Sequence, residues 1–193
     1  MKKVSFILVA FAISLLSFVS LPPATWTLDK AHSNLRFSVT SLMISEVEGS
    51  FKMTEATITA PVEEDFSNAT VSMVADVNSV DTNEPDRDKH LKSADFFDAA
   101  KYPTIFFKSS QFEKQSDKKY KVTGDLTFHG ITKQVILDAM VNYGTHPMSK
   151  KTLAGFKISG TIKRTDFGIS TSTPAAMLCD EVVIVANAQF AKN

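Results

Sequence analysis

The sequence predicts an all-β domain of antiparallel strands. Two observations predict this fold class. Apolar and polar residues alternate along most of the chain beyond residue 25, and short turn-forming stretches separate the alternating runs. Only the segment from Asp81 to Phe107 breaks the pattern, because it combines many charged residues with two aromatic pairs and two prolines. Short connections between consecutive strands favour antiparallel pairing, so the architecture is either a barrel or a sandwich.

The N-terminal residues have the composition of a secretory signal peptide. Lys2 and Lys3 precede an apolar run that extends to Val19, and Leu21-Pro22-Pro23-Ala24 follows it. The run is shorter than the roughly 20 apolar residues of a membrane-spanning helix, which disfavours an anchor. We therefore expect residues 1–24 to be removed, with cleavage after Ser20 or Ala24, and residues 25–193 to form one exported domain.

The composition disfavours several classes of protein. The chain has 21 Lys+Arg against 21 Asp+Glu, a balance that argues against the basic face of a nucleic-acid-binding protein. It also provides no polybasic attraction to anionic lipids. Cys179 is the single cysteine, so an internal disulfide is excluded and stability must come from the core.

The N-terminal half predicts four strand runs. Residues 26–28 begin a short strand, residues 29–33 turn it, and residues 35–40 alternate again. Residues 46–60 predict a long strand that bends near Gly49, and residues 70–80 predict the next strand after an acidic turn.

The segment from Asp81 to Phe107 predicts a short helix. Thr82 or Asn83 is suited to be its N-cap, and Pro85 is acceptable in a first turn. Leu91, Phe96 and Phe97 supply an apolar underside. We expect this segment to pack across one end of the β-structure.

The C-terminal half alternates in five runs and contains one long loop, Asp166–Asp180, rich in Ser, Thr and Gly. The runs are residues 104–112, 120–128, 135–141, 156–162 and 182–190. Phenylalanines here and earlier share strand faces with Gly49, Gly124 and Gly160. Glycines beside large rings leave room, which favours a barrel wide enough for one ligand, although a fully packed core remains open.

The chain carries no motif typical of catalysis. It lacks a Gly-x-Ser-x-Gly elbow, a Gly-rich phosphate loop and HExxH, and its four histidines are not spaced as a helical metal pair. We therefore expect no metal, no cofactor and no enzymatic activity. Cys179 has no convincing catalytic partner nearby, and His90 is either a contact for a ligand head group or a structural hydrogen-bonding residue.

Four short stretches, in order, resemble the signature of the YceI-like lipid/polyisoprenoid-binding family. They are Ala31-His32-Ser33 with Phe37-Ser38-Val39, the run from Arg87 to Asp98 followed by Lys101-Tyr102-Pro103, Gly124–Thr132, and the RTDFG of Arg164–Gly168. The resemblance extends over the whole chain after Trp26. One departure is Cys179, which stands where a small residue is expected and is positioned to project toward the cavity mouth.

The resemblance implies an extended, eight-stranded, lipocalin-like antiparallel barrel with one or two short helices. It also implies a periplasmic protein that holds an isoprenoid quinone, a polyprenol or a similar lipid, with transient membrane contact and a homodimer as further expectations. Strand alternation then predicts the cavity lining: Phe37, Phe51, Met73, Phe107, Leu126, Phe128, Phe156 and Ile158. His90 and Phe167 are the candidates for the head group or the mouth. The alternative is a stress-induced structural or interaction protein with a packed interior.

Overall fold

A computed structural model of the chain describes residues 22–62 and 65–193. The predicted signal peptide therefore lies, as far as residue 21, outside the described residues. Eight strands and two short helical segments follow one another, and no helix in the described ranges is long and apolar enough to cross a membrane. The elements are β1 (Ala24–Ser41), β2 (Ser45–Ala60), β3 (Thr70–Asp81), α1 (Pro85–Lys92), β4 (Thr104–Ser116), β5 (Lys119–Phe128), β6 (Ile131–Thr145), β7 (Thr152–Lys163), a 3-10 helix (Arg164–Phe167) and β8 (Leu178–Lys192).

The strands form a closed barrel in which each strand pairs with its neighbours in sequence. Closure comes from antiparallel pairing of β1 with β8, for example Phe37 with Ile184. The predicted all-β class is confirmed, and the choice between barrel and sandwich is decided in favour of the eight-stranded barrel. The inward side chains follow the predicted alternation, as along β5, where Tyr120, Val122 and Leu126 are buried.

The predicted turn at residues 29–33 is instead a bulge within one long strand. The pairing of β1 shifts register against β8 between Asp29 and Asn34. Ser33 stabilises the shift, because its hydroxyl donates to the carbonyl of Asp29 and accepts from the backbone N–H of Gln189. The turn-forming residues 29–33 therefore mark a bulge in β1 rather than a reversal of the chain.

One end of the barrel is filled by a cluster of rings, here called the aromatic plug. Its members are Trp26, Phe66, Phe112, Tyr120 and Tyr143. Phe66 enters from the connection between β2 and β3, is fully buried, and stacks on Tyr143 with 5.5 Å between ring centroids. Tilted and stacked rings at these distances are favourable beyond their buried area, so this end is packed solid.

The segment between β3 and β4 lies across the opposite end. Helix α1 is capped by Glu84, whose carboxylate accepts hydrogen bonds from the N–H groups of Asp86 and Arg87. The prediction of Thr82 or Asn83 as the N-cap was therefore wrong. Thr82 is buried, and its N–H and hydroxyl are both satisfied because they donate to Asp88. After the helix, the buried ring of Phe97 packs between barrel rings of β2 and β5, and so anchors the segment over the interior.

The glycines on the inner faces do not leave empty space. A β-carbon at Gly49 would lie 2.5 Å from the ring of Phe37, and one at Gly124 would lie 2.6 Å from the ring of Phe107. The rings themselves occupy the room beside the glycines. The reasoning from glycine to cavity was therefore wrong, although the barrel that it favoured is correct.

The two ends of the barrel should respond differently to the same truncation. Val141 is fully buried beside the plug, whereas Val182 borders open interior space. We expect Val141→Ala to lower the free energy of unfolding by about 2 kcal/mol and Val182→Ala by less than about 1 kcal/mol, since a side chain beside a void has fewer contacts to lose. Urea denaturation measures both. Equal losses would contradict the division into packed and open ends.

Candidate functional site

An apolar cavity of about 310 Å³ occupies the barrel between the aromatic plug and the segment that carries α1. Phe156 and Phe190 form its floor, because Phe156 rests edge-on against Phe66 with 4.8 Å between centroids and contacts Phe190 at 5.5 Å. Side chains from all eight strands and from α1 form the walls. The volume lies within the range of small-molecule sites, so the interior is suited to hold a ligand.

The cavity is long and narrow. On β2 the lining extends from Val47 to Ile58, and on β8 from Leu178 to Phe190. With about 3.3 Å per residue and a strand tilt near 40°, this corresponds to roughly 28 Å along the barrel axis. Such a shape accommodates an extended chain rather than a compact, disc-shaped molecule.

The structure places all eight predicted lining residues on the cavity wall. Alternation located them because closure of the barrel sends every second side chain to the same interior. Whether they contact a ligand stays a prediction. The wall of β8 was missed, although the same alternation identifies its lining residues Val182, Ile184, Ala186 and Ala188.

Helix α1 places two polar side chains at the open end, which is here called the mouth. Arg87 and His90 both border the cavity. Arg87 uses two of its N–H groups to bond Thr82, through Nε to the hydroxyl at 2.8 Å and through Nη2 to the carbonyl at 2.9 Å. The exposed ring of His90 stands edge-on to Phe96 at 4.8 Å, so it is held in place by an aromatic contact.

The ion pairs of the described residues do not include Arg87. The pairing of Asp88 with Thr82 and the bonds from Arg87 to Thr82 fix the start of the helix instead. Arg87 is therefore oriented by a neutral partner. Its charge stays available at the mouth because none of the described carboxylates forms an ion pair with it.

Arg164 is the buried cation that sequence reasoning did not single out. It is 4% exposed and borders the cavity near the mouth. Its five N–H groups donate to five backbone carbonyls, those of Cys179, Ile169, Ser170, Thr173 and Leu178. A guanidinium has five such donors, so none is left for a ligand. Arg164 fastens the loop before β8, and Ile169 of that loop and Leu178 at the start of β8 line the cavity.

A second contact fastens the same loop. The carboxylate of Asp180 accepts from the hydroxyl of Thr165 at 2.7 Å and from its N–H at 3.1 Å. These bonds, the hydroxyl first, hold the pKa of Asp180 below its usual value. Because the folded value is the lower one, this contribution to stability is present above the ordinary carboxyl pKa and is lost as the pH falls through the lowered one.

Two residues predicted near the mouth do not line the cavity. Phe167 is 1% exposed and packs on Phe128 at 6.4 Å, and its carbonyl lies 3.0 Å from Nδ1 of His129, so it supports the barrel end without lining the cavity. Cys179 is half-buried outside the cavity lining, and only its backbone carbonyl contacts Arg164. Within the described residues, no cluster of three or more His, Cys, Asp or Glu could hold a metal ion.

Comparisons with known proteins agree on one family. The YceI-like domain family matches residues 26–190. Protein YceI of Escherichia coli O157:H7 is 38% identical over 193 residues, which cover 98% of this chain and 99% of that protein. The crystal structure of BcnA from Burkholderia cenocepacia superposes with a TM-score of 0.74 at 26% identity, over 84% of this chain and 98% of the other. A polyisoprenoid binding domain from Saccharophagus degradans superposes at 0.64 over 87% and 98%, but at 14% identity this likeness concerns the fold alone.

Replacing Arg164 tests its role as a loop fastener. We expect Arg164→Lys to lower the free energy of unfolding by about 2–4 kcal/mol, because a lysine has three donors and leaves at least two carbonyls without a partner. Proteolysis within residues 164–178 should accelerate in parallel. The control is Arg36→Lys, at an exposed arginine with one long ion pair, which should change stability by less than about 0.5 kcal/mol. An unchanged Arg164→Lys protein would contradict the assignment.

Proposed function

The chain belongs to the YceI-like domain family, and on that premise we propose that its barrel binds a long-chain lipid, an isoprenoid quinone, a polyprenol or a tail of similar length, without transforming it. The observation that carries the proposal is the long apolar cavity with a packed floor at one end and a polar-edged mouth at the other. The solved neighbour from Saccharophagus degradans that shares this fold is described as a polyisoprenoid binding domain.

The physical basis is burial of the tail. Each methylene moved from water into an apolar site contributes about 0.8 kcal/mol, so a few isoprene units suffice for retention in water. A bilayer offers the same tail an equally apolar environment, and the net gain over the membrane is close to zero. That balance suits a carrier or reservoir, which must release its lipid as well as hold it.

The head group of such a lipid would lie at the mouth, near α1. Arg87 has N–H groups beyond those that bond Thr82, and His90 presents ring nitrogens beside them. Both can donate to an oxygen of a quinone, a prenol or a prenyl phosphate. The two residues therefore favour a ligand whose single polar end carries an oxygen acceptor.

The remaining parts of the proposal concern location and activity. The signal-like N-terminus favours export to the periplasm, where a lipid would have to cross water between membranes. The lining of the described barrel is almost wholly apolar, and its buried cation Arg164 is engaged with carbonyls, which favours binding over catalysis. A packed interior, the alternative, is disfavoured by the 310 Å³ of space within the barrel.

Filling the cavity should abolish binding. Ala186 faces the cavity on β8, whereas Val183 on the same strand is 44% exposed. We expect protein purified from the periplasm to carry a mass of lipid size in native mass spectrometry, to lose it on solvent extraction, and to regain it with an added isoprenoid quinone. Ala186→Trp should reduce uptake at least tenfold because the ring occupies the path of the tail, while Val183→Trp should leave it unchanged.

An apo mass in every preparation, with no uptake of added quinone by the unmodified protein, would overturn the lipid-carrier proposal. Equal uptake by Ala186→Trp and Val183→Trp would show that lipid binds elsewhere on the molecule. The melting temperatures of both variants serve as the folding control, since an unfolded variant loses uptake for a trivial reason.

The head-group assignment has its own test. We expect Arg87→Met to reduce the preference for a prenol over the corresponding prenyl hydrocarbon about tenfold, because one hydrogen bond from a charged donor is lost. Lys89→Met is the matched control, since Lys89 is an exposed cation of the same helix outside the cavity lining. Competition for the cavity, read by native mass spectrometry, measures the preference. An unchanged ratio in Arg87→Met would remove Arg87 from the site.

A further inference from the structure

The hairpin between β1 and β2 ends in three exposed apolar residues. Leu42, Met43 and Ile44 are 55%, 69% and 85% exposed. Met177, at 54%, lies beside them, because the N–H of Leu42 donates to the carbonyl of Met177 at 2.9 Å. These four side chains form one protruding surface, here called the mouth patch. Large apolar side chains clustered at a tip point to an apolar partner outside the chain.

The backbone of the tip is unfavourable for the residues it carries. Leu42 and Met43 adopt φ values of 52° and 60°. Two consecutive positive φ values in a hairpin turn strongly favour Asn and Gly, and a leucine there is strained by its β-carbon. Neither residue gains packing in return, since both stay exposed. Nothing in the folded chain therefore accounts for apolar residues at these two positions.

The mouth patch is continuous with the cavity. Ser41 and Val47, on the two strands of the hairpin, line the cavity, and so does Leu178, which follows Met177 directly. An apolar surface therefore runs from the interior through the mouth to the tip. Along β2 the nearest charged residues are Glu46 and Glu48, so this side of the patch carries acids rather than the lysines and arginines that attract anionic lipid heads.

We propose that the mouth patch inserts into the interface of a phospholipid bilayer whose head groups carry no net charge. Lipid then enters and leaves the cavity at this point of contact. This deepens the proposed lipid binding and rests on it. Insertion removes the exposed side chains from water and places the mouth against the acyl region, so that a tail passes between two apolar phases without crossing water. Apolar insertion, rather than charge attraction, makes the contact insensitive to salt.

The test uses flotation of the full protein with phosphatidylcholine vesicles. The informative variant is Leu42→Asn with Met43→Gly, because it removes two apolar side chains and installs the residues that this turn favours. We expect vesicle partitioning to fall at least tenfold, the melting temperature to stay equal or rise, and quinone uptake from ethanolic solution to remain unchanged. For the unmodified protein, partitioning should vary less than twofold between 50 mM and 500 mM salt, an interval that screens charge attraction.

Met148→Ser is the matched control. Met148 is 85% exposed in the hairpin between β6 and β7, at the plugged end of the barrel. Its removal should leave vesicle partitioning unchanged.

Three outcomes would overturn the inference. They are absence of vesicle binding by the unmodified protein, equal loss in both variants, and a change from dimer to monomer in the tip variant without vesicle binding. The last outcome would assign the mouth patch to a second copy of the chain. Quinone uptake from ethanolic solution is read separately, so lipid binding in the cavity stands or falls independently of membrane contact.

Discussion

Pairing of β1 with β8 is the interaction on which the rest of the structure depends. It removes both free edges of the sheet and turns one face of every strand into a shared interior. Once the sheet is closed, each inward side chain competes for the same limited space. Its size and its position along the barrel axis then decide whether that space is filled or stays open.

The interior is divided by where its rings lie. Phe66 enters from a connection outside the strands and completes the aromatic plug with Tyr143 and Phe112, against which the floor residue Phe156 rests. At the other end, Phe97 covers only part of the opening, and α1 and the loop fastened by Arg164 frame the remainder. Tightly packed rings are therefore concentrated at the plugged end, and the polar groups and the exposed tip are concentrated at the mouth. This separation lets the mouth vary in sequence without weakening the packed end.

Much of the fold and of the cavity wall is predictable from sequence, because strand alternation is a local signal that closure converts into a common interior. Phe128 and Ile158 border the cavity, as alternation places them, and their contact with a ligand stays a prediction. Arg164 was not recognised as a fastener, since its five acceptors are backbone carbonyls that no side-chain pattern records. The sequence also does not distinguish the rings that line the cavity from the rings that form the aromatic plug. Phe112 and Phe156 look alike along their strands and both contact Phe66, yet only Phe156 borders the cavity.

The packed floor closes the cavity at one end, so a ligand has access only through the mouth. A chain bound there would enter tip first and leave in the reverse order, so that the last atoms to enter would be the first to leave. The distance from the floor formed by Phe156 and Phe190 to the mouth would set how many carbons of the chain are enclosed. Any surplus length would project past the mouth. Substituting a floor residue by a smaller or larger one would therefore recalibrate the enclosed length and leave the recognition of the polar end untouched.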